Sequence, residues 1–281
     1  MLDAKTRAFY RHILSELRHE GIPFAIGGAY GLRFHTGIVR QTKDLDLFLR
    51  RQDLERALNL LSAAGYRTEV THSHWLGKVY AGHDFIDIIF SSGNGVAVVD
   101  DALFEHATKG LLLGVPVLWC PVEEMIWSKA YVMERERYDG ADVAHLFHVC
   151  GTRIDWPRLL ARFGSHWRLL FAHLVLFGFI YPADQHSIPA WVQLELMQRL
   201  QSEIHAAQRG DAVCAGTLLS REQFLIDVED WGYVDGRLAH GAMSESEIAH
   251  WTSAIEHPRQ SVEPRSTPRT ARVPIRRTTR D

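Results

Sequence analysis

Apolar positions along the chain switch between a spacing near 3.6 and strict alternation, and the switches mark out helices and strands. Residues 4–20 place apolar side chains at helical spacing, and the IPFAIGG segment that follows reads as a short buried strand broken by Gly27 and Gly28. A helical turn or short helix is expected over 29–34, a strand over 45–49, and a helix over 52–64 stopped by Gly65. Strands over 66–70, 76–80 and 85–90 complete a run of alternating segments. In the last, Phe85, Asp87 and Ile89 share one face, and Ile86, Ile88 and Phe90 share the other. VPVLW around Val117 reads as a final edge strand. Pro121 opens a helix running to about Glu136, with Glu123 and Glu124 favourably placed in its first turn.

Beyond that point the pattern is helical. Asp139 is the expected N-cap of a helix through Val143, Leu146 and Val149. Residues 151–256 carry only helix signals: Asp155 before Trp156-Pro157, Ser187 with Pro189, and capping boxes at Ser220/Gln223 and Ser244/Glu247. Phe224, Val228 and Trp231 fall at core spacing on one of these helices. The expected architecture is α+β: a mixed sheet flanked by helices over 1–150, then an all-helical domain over 151–256. The most apolar segment, LLFAHLVLFGFIYP from Leu169, is interrupted by His173, ended by Pro182 and short for a bilayer span, so it reads as a buried core helix with no membrane role. No internal repeat is evident.

Composition changes the picture at the C-terminus. The chain is formally −3, but from His257 onward seven Arg face only Glu263 and Asp281, leaving this segment at +5 and the remainder at −8. Rich in Pro, Ser, Thr and Arg, residues 257–281 are expected to form a disordered basic tail. Cys120, Cys150 and Cys214 are odd in number and scattered, and the first residues lack a continuous apolar stretch. Free thiols and a cytoplasmic location are the expectation.

The chemistry concentrates in FAIGGAYGLRFHTGIVRQTKDLDLFL. On a strand, Asp44 and Asp46 project from one face while Leu45, Leu47 and Leu49 enter the core from the other. Two carboxylates held so close repel unless a cation intervenes, and hard oxygen donors favour Mg²⁺. Asp87 supplies a third carboxylate within an apolar strand. Glycines at 27 and 28 permit close backbone approach, and the amides opening the next helix can meet phosphate oxygens.

Gly27-Gly28, Asp44-x-Asp46 and Asp87 together resemble the nucleotidyltransferase superfamily typified by DNA polymerase beta, over roughly residues 20–145. The likeness is nearest to stand-alone bacterial members, among them aminoglycoside and lincosamide resistance enzymes and toxin-type proteins. The resemblance implies an Mg²⁺-dependent transfer of a nucleoside monophosphate from an NTP to a hydroxyl or phosphate acceptor, with pyrophosphate released and two ions expected. It implies Asp44, Asp46 and Asp87 as metal ligands and catalytic groups, with Asp87 either a ligand of the second ion or the base for the acceptor hydroxyl. It further implies Gly27, Gly28, Arg40, Thr42 and Lys129 as nucleotide-binding residues. Arg40 and Thr42 stand in R-x-T-x-D-x-D order as in many stand-alone members, although the gap from Gly28 to Asp44 is longer than usual.

Other residues carry weaker signals. Asp84 should face away from Asp87. His72, His74 and His83 lack companions at zinc-site spacing and fit the flank of an acceptor pocket or plain surface. Arg137, Asp139 and Asp142 fit capping and salt-bridging roles, while Arg221, Glu222, Asp227 and Asp230 fit either the wall of a substrate cleft or, by default, a solvated face. The acceptor stays open between a small cationic molecule, favoured by the acidic body, and RNA, for which the basic tail could supply phosphate contacts. A different class of reading is a non-catalytic nucleotide-binding or interaction module that retains the fold. Three mutually repelling carboxylates weigh against it.

Overall fold

The protein is described by a computed structural model over residues 3–205 and 212–253, and the basic tail expected over 257–281 lies outside the described residues. Helix α1 (Ala4–His19) precedes β1 (Ala25–Ile26), α2 (Gly28–Thr36), β2 (Asp44–Phe48), α3 (Leu54–Ala63), β3 (Arg67–His72), β4 (Leu76–Ala81) and β5 (Asp84–Ile89). A short α4 (Asp101–Glu105) then leads into β6 (Thr108–Leu112) and β7 (Val115–Trp119). The strands form one mixed seven-stranded sheet in the order β3-β4-β5-β2-β1-β7-β6. The pairs β2/β5 and β1/β7 are parallel and the rest antiparallel.

Alternation along the central strands sets the two faces. Leu45, Leu47, Leu49, Ile86 and Ile88 are wholly buried on one face against Ile13, Leu14 and Leu17 of α1 and Leu54, Leu58 and Leu61 of α3. Each such side chain contributes about 1.5–3 kcal/mol of burial, which pins the strand register: a one-residue slip would expose the leucines and bury the aspartates. The opposite face of β2 and β5 carries Asp44, Asp46 and Asp87 toward a cleft.

Past the sheet come α5 (Val122–Ala130), α6 (Gly140–Cys150), α7 (Trp156–Phe163), α8 (Trp167–Ile180) and α9 (Ala190–His205). Their apolar faces form a second core with Leu32 of α2, Leu103 of α4 and Leu218. Ionic contacts reinforce it. Arg158 and Arg162 of α7 reach the buried Glu123 and Glu124 of α5, and Arg162 continues to Asp100 at 2.5 Å. The chain closes with α10 (Leu225–Glu229), α11 (Gly236–Ala239) and α12 (Glu245–Ser253), beside a two-residue parallel pair of β8 (Val213–Cys214) and β9 (Val234–Asp235). Cys120, Cys150 and Cys214 are free thiols.

Several local expectations change. VPVLW is β7, an interior strand, because β6 pairs with it across a turn at Leu113-Gly114 in which both residues take positive φ. The helix after Pro121 ends at Ala130 and not near Glu136, since the carboxylate of Glu134 is drawn to Ser220 and the Arg221 amide. Asp139 takes the expected N-cap position of α6, but its side chain makes no capping bond, its carboxylate being engaged by Lys129 and Arg137. The 220–231 stretch is not a regular core helix: α10 covers only five residues and Trp231 is exposed. Ser244 and Glu247 do form the reciprocal capping box, and Asp155 caps α7.

The run Trp156–Ile180 is long and apolar enough by length and composition to cross a membrane. Here it is broken near Gly164, and Leu159, Phe163, Leu170, Leu174 and Phe177 enter the core. The segment from Leu169 is therefore buried along one face only, with Val175 and Phe179 exposed.

Candidate active site

Parallel pairing of β2 with β5 places Asp46 beside Asp87 and Asp44 beside Phe85. One carboxylate oxygen each of Asp44, Asp46 and Asp87 lies within 4.8 Å of the others, a separation one divalent cation can span. Thr42 donates its hydroxyl to Asp44 Oδ1, fixing that side chain from the preceding loop. Asp84, on the same strand as Asp87, instead accepts from Thr6 at 3.1 Å on the far side, as its position in the alternation requires.

The glycine pair is demanded by this packing. Gly27 donates its amide to the Asp46 carbonyl at 3.1 Å, bringing the turn against β2. A Cβ at Gly28 would stand 1.6 Å from Asp46 Oδ2, and φ at this residue is +53°. A Cβ at Gly27 would fall 2.1 Å from the Phe48 ring. Side-chain-free backbone here lets the N-terminus of α2 approach the carboxylates and gives an anion access to its amides.

Electrostatics mark the cluster as wanting a cation. Burial, followed by the charges of Asp44 and Asp87, pushes the Asp46 carboxyl up to about 7. No side-chain hydrogen bond reaches it among the described residues. Asp87 is also raised, by burial, against the opposing pull of Lys78, whose Nζ sits 2.6 Å from Oδ1. Three oxygen donors, one without a partner and reluctant to ionise alone, fit a hard divalent ion.

A cleft of about 820 Å³ opens over the cluster. Gly28, Arg40, Thr42 and Lys129 all line it, so the structure brings these sequence-derived residues to one place; Gly27, the residue before Gly28, is not in the lining. Lys129 contacts Asp139 at 3.0 Å and Asp142 at 2.8 Å, and Arg40 pairs with Asp142. These two cations are thus held by carboxylates that an incoming phosphate could replace. Arg137 joins Asp139 at 3.1 Å on the same wall.

Other lining residues escaped the sequence reading. Lys78 is one. Ser91, Ser92 and Asn94 follow β5, and Trp75 and Trp251 form part of the rim, with Arg221 stacked 4.8 Å over Trp251. Arg221 and Glu222 face the cleft and not bulk solvent, because Ser220 and the Arg221 amide are tied to Glu134. His72 and His74 pack behind this rim against Trp251.

Residues 10–108 match the family model of aminoglycoside-2''-adenylyltransferase. That match, the mixed sheet and the three-carboxylate geometry give this part of the chain the features of the nucleotidyltransferase superfamily. Among solved structures, the chain is similar to the antibiotic-resistance factor ANT(2'')-Ia in solution, at 19% identity and a TM-score of 0.43 over 61% of this chain and 98% of that one. It is similar to ANT(2'')-Ia in complex with adenylyl-2''-tobramycin at 18% identity, TM-score 0.44, over 58% and 99%. Lincomycin-bound LnuA, a lincosamide antibiotic adenylyltransferase, follows at 16% identity and TM-score 0.37 over 53% and 98%. With TM-scores below 0.5, these likenesses add nothing to the family match and the site geometry. No curated protein matches the chain in sequence.

Proposed function

We propose that the protein is an Mg²⁺-dependent nucleotidyltransferase that moves AMP from ATP to a hydroxyl of a small cationic acceptor, releasing pyrophosphate. One observation carries this reading: Asp44, Asp46 and Asp87 converge beside a turn that tolerates no side chain. Asp44 and Asp46 would hold the ion, which when bound would neutralise and polarise the phosphoryl oxygens.

The chain's own groups supply the remaining roles. The Gly27-Gly28 turn and the first amides of α2 receive phosphate oxygens. Arg40 and Lys129 exchange their carboxylate partners for the triphosphate and bind its outer charge. Thr42 holds Asp44 in orientation. Asp87, one strand over from Asp46, accepts the proton of the attacking hydroxyl as its oxygen bonds to the α-phosphorus and pyrophosphate leaves. The rim of Trp75, Trp251, Arg221 and Glu222 receives the acceptor.

The matched family description and the −8 charge of residues 1–256 favour a hydroxylated, positively charged small molecule over RNA. The test is incubation with Mg²⁺ and α-labelled ATP, offering aminoglycosides, other small-molecule fractions and RNA separately. Label on a small cationic acceptor, with one pyrophosphate per transfer, is expected. Label confined to RNA would redirect the acceptor assignment. Failure to bind any NTP with metal, in folded protein, would contradict the enzyme reading itself.

A further inference from the structure

Lys78 is assigned no role by the glycine and aspartate motifs. It enters the site from β4, directly opposite Asp87 in the antiparallel register, with its ammonium 2.6 Å from Asp87 Oδ1. The side chain is only 19% exposed, and Nζ lies 4.3 Å from the centre of the Phe85 ring. Its cross-strand neighbour on the other side, Glu69, is engaged by Arg67, Thr71 and Tyr80. Among the described residues, Asp87 is therefore the carboxylate that pairs with Lys78.

We infer that Lys78 is a built-in counter-cation for Asp87, so that the cluster of Asp44, Asp46 and Asp87 takes one divalent ion and not two. The inference rests on the nucleotidyltransferase reading given above. Three carboxylates are neutralised by one divalent ion and one ammonium. A second divalent ion on Asp87 would have to share a carboxylate with an ammonium already in contact, and like charges at that range repel strongly where water is scarce. Lys78 cannot withdraw cheaply, since it springs from the middle of β4 between two paired strands and leaves a cation–π contact when it moves. It is a positioning residue: it holds Asp87 Oδ1, and among the described residues no side chain bonds Oδ2, which is left for the acceptor hydroxyl.

Counting bound Mn²⁺ by electron paramagnetic resonance, with full-length protein and a saturating ATP analogue blocked at the α,β bridge, decides the matter. Wild type is expected to hold one ion per chain, Lys78→Met two, and Lys78→Arg, which keeps the charge, one. Two ions in wild type would overturn the inference while leaving the nucleotidyltransferase reading intact. One ion in both wild type and Lys78→Met would also overturn it, because Lys78 would not be what excludes the second. No bound ion in wild type would remove the underlying reading and this inference together. The wild-type count stands even if Lys78→Met folds poorly.

Discussion

Replacing Asp46 by Asn should make the ion-free protein more stable while abolishing turnover. In the folded chain the Asp46 carboxyl is pushed up to about 7, against an ordinary value of 3.8. The folded state therefore keeps a proton that the unfolded state releases, and stability falls as pH rises from 3.8 to about 7, with the full deficit present above that. At about 1.4 kcal/mol per pH unit, the gap corresponds to about 4 kcal/mol, which water reaching the half-buried carboxylate trims to about 2–4 kcal/mol. Asn carries no such deficit. Urea denaturation in EDTA should show Asp46→Asn more stable than wild type by that amount at pH 8, with the pH-dependent part of the advantage gone near pH 4. Adding Mg²⁺ with nucleotide should stabilise wild type and leave the variant unmoved. A variant less stable than wild type at pH 8 in EDTA would refute the reasoning, because Asp46 would then be a structural group and not a charge awaiting a counter-ion.

Other perturbations test separate links. Gly28→Ala should cost about 1–2 kcal/mol from its positive φ alone and more from the collision with Asp46, with nucleotide affinity lost in calorimetry. Glu124→Gln, which removes a buried partner of Arg158 and Arg162, should lower stability by about 3–5 kcal/mol in chemical denaturation while leaving the KM of the residual folded enzyme unchanged. Trp251→Ala should raise the acceptor KM about tenfold, equivalent to about 1.4 kcal/mol, with kcat and metal affinity retained. A fall in metal affinity instead would place Trp251 in the ion site's support.

The carboxylate centre was legible because its signals are local. Asp44 and Asp46 alternate with three leucines, Asp87 alternates with isoleucines, and two adjacent glycines break a strand. Pairing of β2 with β5 buries both apolar sets on the same side and leaves the three carboxylates together on the other. Lys78 carried no motif signal, yet its partner could have been counted. A two-residue turn at Gly82-His83 sets Ala81 against Asp84, and three steps back sets Lys78 against Asp87. The β6 strand was hidden by its weak alternation and by a turn that puts Leu113 at positive φ. The cleft rim was illegible for another reason: Arg221 is placed by Glu134 and Trp251 by packing at Gly93, tertiary contacts that no local period encodes.

The most direct test of the site is an anomalous-scattering map from crystals grown with Mn²⁺ and the blocked ATP analogue. A peak within about 2.0–2.3 Å of carboxylate oxygens of both Asp44 and Asp46, with the triphosphate against the Gly27-Gly28 turn, is the expected result. A nucleotide bound elsewhere, or a cluster that stays free of metal beside a bound nucleotide, would contradict the assignment.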